Sequence, residues 1–125
     1  MVREIVHCQV GQCGNQIGNA FWVTMLAEHH LAQEDGSFQT TKDPVRDQEI
    51  LDKINVYFKE PGEQRFVPRA VLVDLEPGTL DVIKENKIGK TFPPDNFLFG
   101  ASGNFKSLHF FIRFWIFLNL SNLAN

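Results

Sequence analysis

The chain has 125 residues, of which 43% are hydrophobic and 22% are charged, a globular composition that excludes wholesale disorder or a fibrous repeat. Its 12 Lys and Arg residues are outnumbered by 15 Asp and Glu residues, which gives a formal net charge of −3. Because this charge provides no broad cationic surface for phosphate backbones, we expect no nucleic-acid partner.

The opening of the chain predicts a strand followed by a helix. Residues 5–10 form a short apolar run interrupted by His7 and Gln9, which is typical of a buried or half-buried strand. Glycines follow at positions 11 and 14, and apolar side chains then recur at helical spacing through Ile17, Phe21 and Met25. This pattern predicts an amphipathic helix that begins at or near the glycines.

The middle of the chain is predicted to lie on the surface and at a sheet edge. Residues 32–49 are polar and show no sustained period, which indicates a surface loop. Two extended segments follow, at residues 54–58 and 65–67, around a turn at residues 61–63. Pro61 and Pro68 confine these segments to the edge of a sheet.

The third part of the chain predicts two further strands and a helix. Residues 70–73 are continuously apolar, as a parallel strand covered on both faces requires. Thr79 is the expected N-cap of a helix that runs to about Lys87, and residues 97–99 form a third strand candidate. The order strand, helix, strand, helix, strand predicts the α/β class, with a parallel sheet and right-handed crossovers.

The segment Gly11-Gln12-Cys13-Gly14 lies between the first strand and the first helix. Free N–H groups at a helix N-terminus favour an anion, and the Gln12 and Gln16 amides add neutral donors, so a phosphate site is one interpretation. A tight strand-to-helix turn is the other, with about equal weight. The spacing is not GxGxxG and no P-loop lysine is present, which disfavours a dehydrogenase or an ordinary P-loop enzyme.

Two carboxylates, Asp74 and Glu76, follow the second strand. The carboxyl ends of parallel strands are where ligands bind in open α/β folds, and Mg²⁺ prefers oxygen ligands, so a magnesium site is the functional interpretation. The alternative, of equal weight, is that the two carboxylates only stabilise the next helix by interacting with the positive end of its dipole. The Gly-Ala-Ser-Gly turn at residues 100–103 is predicted to end the third strand at the same edge.

Other reactive side chains are assigned structural roles. Cys13 is expected to be a packed, buried thiol rather than a reactive one, and His7 a core histidine with satisfied hydrogen bonds. The spacing of Cys8 and Cys13 is not that of a zinc or redox motif, and residues 1–5 lack the apolar core of a signal peptide. We therefore expect reduced thiols in a cytoplasmic protein.

Several motifs in the same order resemble the tubulin family, and its beta chains more closely than its alpha or gamma chains. Together they cover residues 1 to about 103. The matching segments are residues 3–7 (REIVH), 11–18 (GQCGNQIG), 54–57 (INVY), 67–70 (VPRA), 73–79 (VDLEPGT) and 94–100 (PDNFLFG).

The resemblance implies a Rossmann-like domain that binds GTP and Mg²⁺. In the family, the positions of Gly11, Gln12, Cys13 and Gln16 contact the nucleotide phosphates. Glu76 would serve the magnesium ion, with Asp74 nearby, and no catalytic residue is assigned. The implied partners are alpha-tubulin, in a heterodimer, and the microtubule lattice, which places the protein in the cytoplasm and cytoskeleton.

The resemblance stops where the composition changes, so we predict two parts: residues 1–103, the N-terminal part of a tubulin-type GTP-binding domain, and residues 104–125, a non-homologous apolar tail. The family's third phosphate loop continues Ala-Gly-Asn-Asn-Trp, whereas this chain turns to phenylalanine-rich sequence and lacks the GGGTGSG loop. We therefore expect an incomplete nucleotide-binding domain that does not hydrolyse GTP alone. The alternative is a nonfunctional or interfering truncated product that binds tubulin partners or chaperones without nucleotide. The apolar stretch is too short and too charged for a clear membrane anchor.

Overall fold

A computed structural model describes residues 3–100 of the chain, so the predicted tail and its boundary lie outside the described residues. The β-strands are β1 (His7–Val10), β2 (Phe58–Gly62), β3 (Arg65–Pro68), β4 (Ala70–Asp74) and β5 (Phe97–Phe99), and the α-helices are α1 (Gly11–Glu28), α2 (Pro44–Ile54) and α3 (Pro77–Glu85). Short 3-10 helices span Lys87–Thr91 and Pro94–Asn96.

The main sheet has the parallel arrangement that the sequence predicts. Its strand order is β1-β4-β5, and both neighbouring pairs are parallel. The register aligns Val10 with Val73 and Asp74 with Phe99, so the carboxyl ends of the three strands lie at one edge. The α/β class with an incomplete Rossmann-like sheet is confirmed.

Strand β4 separates two apolar clusters because successive side chains of a strand point to opposite faces of the sheet. Leu72 packs with Trp22 of α1 and Leu80 of α3, which places both helices on one face. Val71 and Val73 lie on the other face, and both are buried. The prediction that this strand is covered on both faces therefore agrees with the burial of all its residues.

Aromatic side chains form the centre of the larger cluster. Trp22 is fully buried, and its ring meets those of Phe21, Phe58 and Phe92 edge-on at centroid distances of 5.1, 5.5 and 6.4 Å. Edge-to-face contacts of this kind add about 0.5–1.5 kcal/mol each to the stabilisation from buried area. They fix α1 against the strand and loop segments that follow it.

The prediction of a loop through residue 49 was wrong, because α2 begins at Pro44. The side chain of Asp43 accepts hydrogen bonds from the N–H groups of Val45 and Arg46, at 3.1 and 3.4 Å. Proline is favoured at the first helical position and aspartate immediately before it. These two residues are the start signal that the loop interpretation overlooked.

The segment at residues 54–57 is also not extended as predicted. Ile54 ends α2, and the N–H groups of Val56 and Tyr57 donate to the carbonyls of Lys53 and Ile54, which forms a turn. Strand β2 then begins at Phe58. Its antiparallel partner β3 is reached through Glu63 and Gln64, whose positive φ angles of 56° and 57° are those of a hairpin turn.

Helix α3 begins two residues before the predicted cap. Glu76 occupies the N-cap position and Pro77 is the first helical residue, so Thr79 lies within the first turn. The helix ends at Glu85, and Lys87 belongs to the 3-10 helix that follows. Thr79 is therefore not the N-cap.

Candidate functional site

The first part of the candidate site is the junction between β1 and α1. Gly11 is the first helical residue and has a positive φ of 75°, a conformation that side chains with a Cβ rarely adopt. Among residues 3–100 no side chain caps this end of α1, and its first turn holds no carboxylate. The N–H groups of the first turn are thus available to an anion, and the helix dipole favours negative charge there.

Asn15 connects this junction to the neighbouring strand. Its Nδ2 donates to the carbonyl oxygen of Gly11 at 2.7 Å and to that of Val73 at 2.9 Å. The side chain is fully buried. The sequence alone indicates no role for Asn15, because a contact between residues 58 positions apart cannot be predicted from residue spacing.

The second part of the site is the turn after β4, where Asp74 and Glu76 differ in environment. Asp74 is buried, and its Oδ1 accepts a hydrogen bond from the Glu76 N–H at 3.0 Å. Its Oδ2 is buried without a hydrogen-bond partner among residues 3–100. Glu76 is exposed at the N-terminus of α3. One carboxylate therefore shapes the turn, and the other is free to reach a ligand.

A cleft of about 440 Å³ lies between α1 and α3. It brings together Gln12 and Gln16 on one wall and Glu76 and Thr79 on the other. The remaining lining residues are Asn19, Gly78, Val82, Ile83 and Asn86. Three of the six predicted site residues thus share one cavity. Gly11, Cys13 and Asp74 do not line it.

The third strand end joins the same edge. The N–H of Gly100 donates to the Asp74 carbonyl at 3.2 Å, directly after β5. The predicted convergence of the strand ends is confirmed as far as Gly100, and residues 101–103 of the third turn lie outside the described residues.

The chemistry of the two carboxylates would suit a magnesium ion that takes its other ligands from water and a phosphate group. Within residues 3–100, no three His, Cys, Asp or Glu side chains converge to hold a metal by themselves. Mg²⁺ in nucleotide sites takes one or two carboxylates and obtains its remaining ligands from water and phosphate oxygens. The carboxylate of Glu76 is exposed and would be accessible to such an ion, whereas the Oδ2 of Asp74 is buried and has no hydrogen-bond partner within residues 3–100.

The expectation that Cys13 is buried was wrong, since its side chain is exposed. The buried face of α1 carries Asn15, Gly18, Trp22 and Leu26, which recur at intervals of three and four residues. Cys13 lies two positions before Asn15, so the helical repeat turns it away from that face. Its thiol is therefore accessible.

His7 is half-buried rather than the core histidine with satisfied hydrogen bonds that was expected. Its ring lies against those of Phe21 and Trp22, at centroid distances of 4.8 and 5.6 Å. Burial lowers its pKa because the charged imidazolium loses hydration. Its Nδ1 has no hydrogen-bond partner in the part of the chain that the structure describes.

Comparison with known sequences decides the family. Residues 4–110 match the sequence model described as Tubulin/FtsZ family, GTPase domain. The chain belongs to the tubulin family. The resemblance drawn from the motifs is thereby confirmed.

The similar tubulins include several beta chains. The chain is 54% identical to a tubulin beta chain of Aspergillus fumigatus over 101 residues, which cover 81% of this chain and 21% of the relative. It is 49% identical to a tubulin beta chain of Encephalitozoon cuniculi over 102 residues and 52% identical to a tubulin beta-1 chain of Hypocrea rufa over 104 residues, each covering 82% of this chain and 22% of the relative. The chain thus spans about a fifth of the length of these tubulins.

None of the helices within residues 3–100 is both long enough and apolar enough to cross a membrane.

Proposed function

We propose that this chain carries part of a tubulin-type GTP site, in which α1 binds the phosphates and Glu76 serves a magnesium ion. The observation that carries the proposal is the cleft between α1 and α3, which gathers Gln12, Gln16 and Glu76 at the carboxyl edge of a parallel sheet. In open α/β folds this edge is the usual place for a ligand.

The phosphate arm of the site consists of neutral donors. The uncapped N–H groups at Gly11, Gln12 and Cys13 point out of the N-terminus of α1, and the amides of Gln12 and Gln16 extend the same surface by one helical turn. Such a surface holds a polyphosphate through hydrogen bonds and the helix dipole, without a lysine.

The magnesium arm consists of oxygen atoms. Glu76 would hold the ion directly or through water, and Asp74 would orient the water molecules that are bound to the ion. When bound, the ion neutralises charge on the phosphates, which otherwise would repel the two carboxylates.

The proposal for assembly rests on the names of the similar proteins. The similar proteins are named tubulin beta chains, so we propose that the full protein pairs with alpha-tubulin and enters the microtubule lattice, in the cytoplasm and cytoskeleton. Within residues 3–100 the family's nucleotide-binding role is the one that the geometry supports, and the proposal assigns no catalytic residue.

The proposal is tested by titrating the purified chain with a fluorescent GTP analogue, with and without Mg²⁺. We expect saturable binding that Mg²⁺ strengthens. Glu76→Gln keeps the size of the side chain and removes its charge, so it should abolish the effect of Mg²⁺. Glu85→Gln makes the same change at the other end of α3 and should leave binding unaltered.

The result that contradicts the proposal is a folded chain that shows no saturable binding at any magnesium concentration. If such a chain still co-purified with alpha-tubulin, the alternative of a partner-binding product without nucleotide would be supported instead.

A further inference from the structure

We infer that Asn15 is a positioning residue that holds the phosphate-binding and magnesium-binding turns at a fixed separation. The inference rests on the proposed function, because it concerns how the two arms of that site cooperate.

A continuous series of contacts joins the two turns through this one side chain. Asn15 Nδ2 donates to the carbonyl of Gly11, where the phosphate arm begins, and to the carbonyl of Val73. The next residue, Asp74, accepts a hydrogen bond from the Glu76 N–H. Displacement of either turn therefore lengthens a hydrogen bond that this same nitrogen atom donates.

The chemistry of the contact requires an asparagine. The two hydrogen atoms on Nδ2 serve two carbonyl acceptors at once, and both distances are short. A serine at this position has one donor and serves one carbonyl at a time. An aspartate has the same shape as asparagine, but ionised it has no donor and would place a buried carboxylate against two carbonyl oxygens.

Asn15 acts through the turns and does not touch the ligand itself. It is fully buried and is not among the residues that line the cleft. Turns that are already held in place need less ordering when a ligand binds, which strengthens binding without a new contact. The expected consequence is that magnesium and nucleotide strengthen each other's binding through this side chain.

The first test uses the unaltered chain and no ligand. Amide hydrogen exchange, followed by nuclear magnetic resonance, compares the side-chain NH₂ groups of Asn15 and Asn55. We expect the buried Asn15 group to be protected and the exposed Asn55 group to exchange as rapidly as in an unfolded chain. Equal, rapid exchange of both groups would overturn the inference, whether or not the chain binds GTP.

The second test compares Asn15→Ser with Thr91→Val, which serves as a matched control. Thr91 is also buried and also ties two distant segments, since its hydroxyl donates to the Gln33 carbonyl at 2.9 Å. Thr91 does not line the cleft, so loss of its hydrogen bond should lower the stability of the chain without affecting the candidate site.

Asn15→Ser should reduce GTP affinity about three- to tenfold, the equivalent of one lost hydrogen bond, and should remove most of the strengthening by Mg²⁺. The Thr91→Val variant should retain the full GTP affinity and the full strengthening of GTP binding by Mg²⁺. If the serine variant kept the full effect of Mg²⁺ while folded, the positioning role would be wrong. If the unaltered chain bound no GTP, the proposed function would fail, and the exchange measurement would still decide whether Asn15 holds the turns.

Discussion

Gly18 of α1 lies directly against the side-chain amide of Gln9 in β1, so closely that a Cβ atom at position 18 would overlap three side-chain atoms of Gln9. Gln9 is buried, and neither atom of its amide has a hydrogen-bond partner within residues 3–100. The helix can approach the strand this closely only because position 18 has no side chain. This contact sets the distance between α1 and the sheet, and therefore the position of the phosphate arm.

Gly18→Ala should consequently destabilise the chain by about 1–3 kcal/mol, the usual cost of forcing a methyl group into a packed interior. The free energy of unfolding from urea titration measures the effect. Gly14→Ala is the matched control, since a Cβ there meets its nearest atom at an ordinary 3.8 Å. Adding Gln9→Ala to Gly18→Ala should restore part of the loss, and a double variant no more stable than Gly18→Ala would contradict the packing account.

Asp43→Ala should weaken α2, because the side chain of Asp43 caps two N–H groups at its start. The expected loss is about 0.5–2 kcal/mol, typical of an aspartate N-cap. Thermal unfolding followed by circular dichroism provides the measurement, with the exposed Glu49→Ala in the same helix as control. Equal losses for the two variants would show that the cap contributes nothing.

The stability of the chain should fall as the pH drops below about 6.5, through His7. Burial lowers the pKa of His7 below its value of 6.5 in the unfolded chain. Between the two pKa values the unfolded chain binds more protons than the folded one, so acid favours unfolding and stability rises with pH across this window. His7→Phe keeps an aromatic ring against Phe21 and Trp22 and should flatten this dependence in urea titrations at pH 7.5, 6.5 and 5.5. A slope that persisted in the variant would assign the effect to another group.

The thiol of Cys13 should react in the native chain, because both Cys8 and Cys13 are exposed. A thiol reagent added without denaturant should label both cysteines, and Cys13→Ser should leave one labelled site. Since Cys13 belongs to the proposed phosphate arm, saturating GTP should slow its labelling more than that of Cys8. Labelling of Cys13 only after denaturation would contradict its exposed position.

Part of this architecture could be predicted from the sequence because the signals are local. The apolar run at residues 70–73 and the glycines after β1 predict elements that the structure contains at those places. The convergence of the strand ends could be predicted because an alternation of strands and helices is compatible with few sheet topologies. The start of α2 was also encoded locally, in Asp43 and Pro44, but its exposed and polar residues obscured the helical period.

The remaining features depend on contacts between distant parts of the chain. Asn15 meets Val73 across the sheet, and Gln9 lies beneath Gly18 because a helix folds back onto its strand. Neither contact can be deduced from the spacing of residues along the sequence. For the same reason, the difference between the buried Asp74 and the exposed Glu76 could not be read from two carboxylates separated by one residue.

The most direct test of the proposed site is a titration of the isotope-labelled chain with GTP and Mg²⁺, followed by nuclear magnetic resonance. If the ends of β1 and β4 together bind the nucleotide, the backbone signals of Gly11, Gln12, Cys13 and Glu76 should shift and saturate at one common GTP concentration. Shifts that are absent, or that are confined to residues away from these two turns in a folded chain, would contradict the nucleotide site.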